Sequence, residues 1–169
     1  MIRLLGALLL LLGGLALGLI PVGELSNRVK TLESWIDALL LMEGELAFSL
    51  PAMPQLLDAL SAKALSPAGE TFTRVRKGLE ELGERTFSQI WTQAVTACAG
   101  LRGEDLAPLL RLGEVLGRYD REEQSRALES ARDQLARREA LCREELRGKG
   151  RAYGTLGLAL GAFVTILLL

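Results

Sequence analysis

Apolar and polar positions divide this chain into three parts. Residues 4–22 (LLGALLLLLGGLALGLIPV) and residues 152–169 (AYGTLGLALGAFVTILLL) carry no charge, and every charged residue except Arg3 lies between them. At a rise of about 1.5 Å per residue each run covers about 27 Å, close to the hydrocarbon thickness of a bilayer. The pattern predicts an N-terminal transmembrane helix within residues 1–23 and a C-terminal one over residues 152–169. A central domain over residues 24–151 lies between them, with both of its ends on one side of the membrane.

Within the central domain the apolar period is helical throughout. Leu25, Val29, Leu32, Ile36, Leu39, Glu43 and Leu46 follow one another at steps of four and three, one stripe of a helix over residues 25–47. Pro51 and Pro54 end that helix and permit a second, carrying Leu56, Leu57, Leu60 and Leu65. After Ser66-Pro67 a third shows Phe72, Val75, Leu79 and Leu82 and stops at Gly83. A fourth follows with Phe87, Ile90, Trp91, Ala94, Val95 and Cys98. Leu106, Leu109, Leu110, Gly113 and Leu116 line a fifth. The sixth is the longest and opens at Asp120, whose carboxylate is placed to cap it, with Glu123 three residues on. Leu128, Ala131, Leu135, Cys142 and Leu146 form its narrow seam. Acid-first pairs four apart cover its surface: Glu122–Arg126, Asp133–Arg137, Glu139–Arg143 and Glu145–Lys149. Gly148 and Gly150 then loosen the junction with the last run. No alternating run of period two exists, so the predicted fold is all-α, a six-helix bundle flanked by two transmembrane helices.

Charge next to the apolar runs sets the orientation. Arg28 and Lys30 follow the first run, and Arg143, Arg147, Lys149 and Arg151 precede the second, against Arg3 alone on the other side. The positive-inside bias places the central domain in the cytoplasm and the protein in the cell membrane. A competing reading makes the first run a cleaved secretory signal, with Ala16-Leu17-Gly18 as a weak cleavage site; the domain is then exported and held by its tail. Gly14 and Gly18 in the first run, and Gly157 and Gly161 in the second, have the spacing of close membrane-helix packing.

Composition removes most chemistry. The chain carries 20 basic and 21 acidic residues and no histidine. With Arg3 set aside the central domain holds about −2, its basic residues interleaved with acids, which is not the footprint of a nucleic-acid binder. Lacking histidine, it lacks the commonest general base and transition-metal ligand. There is no phosphate-binding GxxxxGK[ST] loop, no GxGxxG and no GxSxG. Cys98 and Cys142 lie on helical apolar stripes, which predicts two buried free thiols. The expectation is a protein that is not an enzyme, with no cofactor, no metal and no small-molecule substrate.

Two details go beyond a generic bundle. Glu43 falls on the apolar stripe of the first helix beside Glu45, so its carboxylate needs either an arginine of its own chain or a partner protein. In Leu112-Gly113-Glu114-Val115-Leu116-Gly117, two glycines four apart cost helix stability, which predicts close helix approach at Gly113 and a helix stop at Gly117.

These residues carry a family resemblance. Met42-Glu43-Gly44-Glu45-Leu46 followed by Pro51 and Pro54 resembles the L-E-x-E-[IL] region and proline break of stage III sporulation protein AB, with Met for the usual Leu and Phe48 where a tyrosine is expected. Gly113-Glu114-Val115-Leu116-Gly117-Arg118-Tyr119-Asp120 with Gln124 resembles the family's G-E-x-L-G-x-x-D-x-x-x-Q pattern, and the likeness extends over the whole chain. The resemblance implies a part in the channel between mother cell and forespore, in the mother-cell membrane. The cytoplasmic domain is expected to be similar to the platform protein of type II secretion. Its implied partners are a cognate secretion-type ATPase and other stage III sporulation membrane proteins. Glu43, Glu45, Gly117, Asp120 and Gln124 are the residues expected to meet them. The alternative is a membrane-anchored sensor or regulatory protein with a helical signalling bundle.

Overall fold

Six helices account for most of the chain, in a computed structural model that describes the backbone of residues 2–49, 51–118 and 120–168 and the side chains of residues 22–47, 51–118 and 120–149. They are α1 (Ile2–Ser49), α2 (Met53–Lys63), α3 (Ala68–Gly78), α4 (Phe87–Thr96), α5 (Gly103–Val115) and α6 (Arg121–Leu168). Among the described residues there is no strand. The number and order of helices match the periodicity. The first and last reach through the apolar runs, and α6 continues past Gly148 and Gly150 without a break, where a loosened junction was expected. Among the described residues no helix is long and apolar enough to cross a membrane. The expected spans, with Gly14, Gly18, Gly157 and Gly161, lie outside the described side chains except at Val22 and Gly23.

The chain divides into two compact units. One comprises residues 1–27 and 141–169; in it Leu25 and Cys142 are buried and Glu145 pairs with Lys149 at 2.7 Å. The other, residues 28–140, is the helical bundle.

In the bundle α1 contributes a broad face. Val29, Leu32, Leu39, Met42 and Leu46 are buried as the stripe requires, with Met42 beside it, but so are Thr31, Ser34, Trp35 and Ala38, whereas Ile36 is only half-buried. A single row of steps of three and four captures one side of such a helix; α1 is covered on two. Trp35 meets Phe72 of α3 and Trp91 of α4 edge-on, with ring centroids 5.5 and 6.3 Å apart, and Phe87 extends the cluster from Trp91 at 6.0 Å. Edge-to-face packing lets these large rings fill the centre at native density. Their polar handles are used as well: the Trp35 indole N–H donates to Cys98 Sγ at 3.5 Å, and that of Trp91 to the Leu109 carbonyl at 2.7 Å. Both cysteines are free and buried, as expected.

Turn chemistry fixes the helix order. Pro54 sits in the first turn of α2, where a missing N–H costs nothing. At the α2–α3 turn the buried Ser34 hydroxyl of α1 donates to the Leu65 carbonyl at 2.8 Å and accepts from the Ala68 N–H at 3.2 Å. Thr86 and Gln89 form a reciprocal capping box at the start of α4. Two leucines expected on apolar stripes are exposed instead. Leu65 lies past the end of α2 and is exposed. Leu82 follows a single 3-10 turn (Leu79–Glu81) and is exposed too, so the third helix stops at Gly78, before Gly83. Each continues the apolar spacing by one step after its helix has ended.

Candidate functional site

Of the five residues expected to meet a partner, Glu43, Gly117, Asp120 and Gln124 lie at one end of the bundle, where α1 ends, α2 begins and α5 turns into α6. Gly117 ends α5 with φ of +75°, a left-handed conformation that costs other residues about 1–2 kcal/mol, and a Cβ there would stand 3.3 Å from Met53 Cε at the start of α2. Asp120 is the N-cap of α6: its Oδ1 accepts the Glu123 N–H at 2.8 Å, and its carbonyl accepts the Gln124 N–H at 3.0 Å. Next to it, Arg121 donates to the Ala47 carbonyl in the last turn of α1, where helix carbonyls lack partners and a cation is favoured. Glu43 accepts from Arg132 of α6 at 2.8 Å, each side chain about 30% exposed. Glu43, Leu46, Ala47, Arg121, Ser125 and Leu128 line a small pocket of about 70 Å³. The carboxylate on the apolar stripe therefore has an arginine of its own chain.

Glu45 points elsewhere. It pairs with Lys63 of α2 at 2.6 Å on the outer side of α1, where Leu40 is 55% and Leu41 36% exposed. Gln124 is half-buried in the first turn of α6.

Gly113 is where close approach was expected. A Cβ on it would lie 2.4 Å from Trp91 Cδ1 and 2.8 Å from Cγ, so only glycine admits the indole against α5. The ring settles there and donates to Leu109 one turn back.

The strongest electrostatic feature is one the sequence reading passed over. Asp105, in the first turn of α5, has a fully buried side chain gripped by the fork of Arg28, with Nε to Oδ2 and Nη2 to Oδ1 both at 2.8 Å. Oδ2 also accepts the Arg102 N–H at 2.9 Å. Burial pushes this carboxyl up, but the Arg28 guanidinium, the Arg102 N–H and the more distant Arg138 outweigh it and hold it below its usual range. Arg28 stands three residues after Leu25, a helical spacing that could have marked it as inward-facing; its place beside the first apolar run made it read as a flanking charge.

Comparison with known proteins follows the same outline. No curated protein matches the sequence. A solved structure described as "Stage III sporulation protein AB (SpoIIIAB)" superposes with a TM-score of 0.62 at 19% identity, over 72% of this chain and 97% of that one, a likeness of fold. The family profile of stage III sporulation protein AB matches residues 3–169. The G-E-x-L-G-x-x-D pattern that suggested it consists, in the structure, of the close approach at Gly113, the left-handed stop at Gly117 and the cap at Asp120. The chain belongs to the stage III sporulation protein AB family.

Proposed function

We propose that this protein is a membrane scaffold of the mother cell–forespore channel of sporulation, docking a cytoplasmic secretion-type ATPase to the channel's membrane components and catalysing no reaction itself. The observation that carries this reading is the family match over residues 3–169. The architecture supports it. α1 and α6 are each a single 48-residue helix, and each joins the bundle to one of the two uncharged runs. The proposed docking surface takes in Glu43, Glu45, Gly117, Asp120 and Gln124. Arg28, Lys30, Arg143, Arg147, Lys149 and Arg151, all beside the uncharged runs, favour a cytoplasmic bundle.

Topology tests the reading first. Gly103 opens α5, is exposed, and would place a Cβ in open space, so Gly103→Cys should fold normally. In a Cys98→Ala, Cys142→Ala background, a membrane-impermeant maleimide should label this cysteine only after lysis, and the full-length chain should retain the purified cognate ATPase in a pull-down. Labelling in intact cells would put the bundle outside and end the motor-docking reading.

A further inference from the structure

The outer side of α1 carries a pattern that, among the described residues, is used by the Glu45–Lys63 pair alone. Asp37, Leu41 and Glu45 are four apart and form one row along the helix; Leu40 and Gly44 form the adjoining row. Leu40, Leu41, Gly44 and Glu45 line an open groove of about 280 Å³. Glycine inside a helix loses stability relative to alanine, and a tight contact normally explains it, as at Gly113. At Gly44 a Cβ would meet nothing within 4 Å, so no neighbour among the described residues requires the notch. Two exposed leucines beside an unexplained glycine make a seat for a side chain from outside.

Charge around the seat selects its occupant. Asp37 is exposed and forms no ion pair among the described residues, and Glu45 pairs with Lys63, whose side chain is 58% exposed. An acid–leucine–acid row is complementary to an amphipathic helix with an apolar residue flanked by basic residues one turn to either side. We infer that this row of α1 is the docking seat for a basic amphipathic helix of a partner protein, one apolar side chain entering the Gly44 notch and its basic neighbours meeting Asp37 and Glu45. The inference rests on the scaffold reading, in which that partner is the ATPase, and it centres the grip on the Glu45 side of the proposed surface.

The test measures binding of the purified cognate ATPase to the full-length chain in detergent, for the wild type, Leu40→Asp, Gly44→Trp and Asp37→Lys. All three substitutions are at exposed positions, and thermal melts should stay near that of the wild type. Each should weaken binding at least about tenfold, and Asp37→Lys should also flatten its salt dependence. Wild-type binding that all three variants retain at full strength overturns the docking seat and leaves the scaffold reading intact. A wild type that does not bind the ATPase refutes the scaffold reading and this seat with it. Sedimentation showing a wild-type dimer that Leu40→Asp and Gly44→Trp dissociate assigns the face to a second copy, and overturns the inference as well.

Discussion

Asparagine at position 105 keeps the shape of the aspartate and its acceptor for the Arg102 N–H, but removes the carboxylate charge that faces the Arg28 guanidinium, itself only 12% exposed. Removing one partner of a buried ion pair costs about 3–5 kcal/mol, because the remaining charge stays desolvated. Against a typical total of about 5–15 kcal/mol this is a large fraction, and for a domain of this size it corresponds to a fall of about 10–20 °C in Tm. Calorimetry or circular dichroism of the full-length chain in detergent measures it. The pH dependence gives an independent sign. Asp105 is held below its unfolded value, so its contribution is complete above about pH 4 and is lost as the pH falls through the lower, folded value. Below about pH 4 the wild type should therefore lose stability more steeply than Asp105→Asn, and the two melting curves should converge. Replacing both partners, Arg28→Met with Asp105→Leu, should recover most of the loss, since no unpaired charge remains. A single variant within about 1 kcal/mol of the wild type, or one with an unchanged pH slope, would refute the account of this pair.

The remaining predictions are more local. Gly113→Ala should lower stability by about 1–3 kcal/mol despite the better helix propensity of alanine, because Trp91 must leave its place; an unchanged near-ultraviolet tryptophan signal would count against this. Asp120→Ala should cost about 1 kcal/mol in denaturant melts through the lost cap, and Gly117→Ala about as much through its left-handed backbone. Gly44→Ala should instead stabilise the chain by about 0.5–1 kcal/mol, since the added methyl meets open space on a helix; destabilisation there would reveal a neighbour that the structure lacks.

Features that depend on neighbouring residues were legible in the sequence, and those that depend on distant ones were not. The stop at Gly117, the cap at Asp120 and the contact at Gly113 follow from the geometry of one or two turns, and glycine or aspartate announces each. The seam of α6 at Leu128, Ala131 and Leu135 is equally plain, because that helix buries one narrow face. Arg28 and Asp105 are separated by 77 residues, and no local spacing marks them as partners. Trp35 and Ser34 escaped for a different reason. A stripe traced at one angular width describes a helix lying on a surface, whereas α1 is enclosed on a wider arc. Glu43 was legible as a carboxylate in need of a partner, but the choice of Arg132, 89 residues away, came only with the fold.

The Ser34 hydroxyl has a consequence for the alignment of the bundle. A slip of the α2–α3 hairpin by one turn along α1, about 5.4 Å, would part Phe72 from Trp35 and would break both bonds of this hydroxyl as well. A single hydroxyl that bonds to Leu65 on one limb of the turn and Ala68 on the other is satisfied at one setting only. Any slip would bury a donor and an acceptor unpaired. Ser34 thus works as an index pin beside the Trp35–Phe72 contact: the rings supply the adhesion, and one small polar group sharpens the position at which it holds.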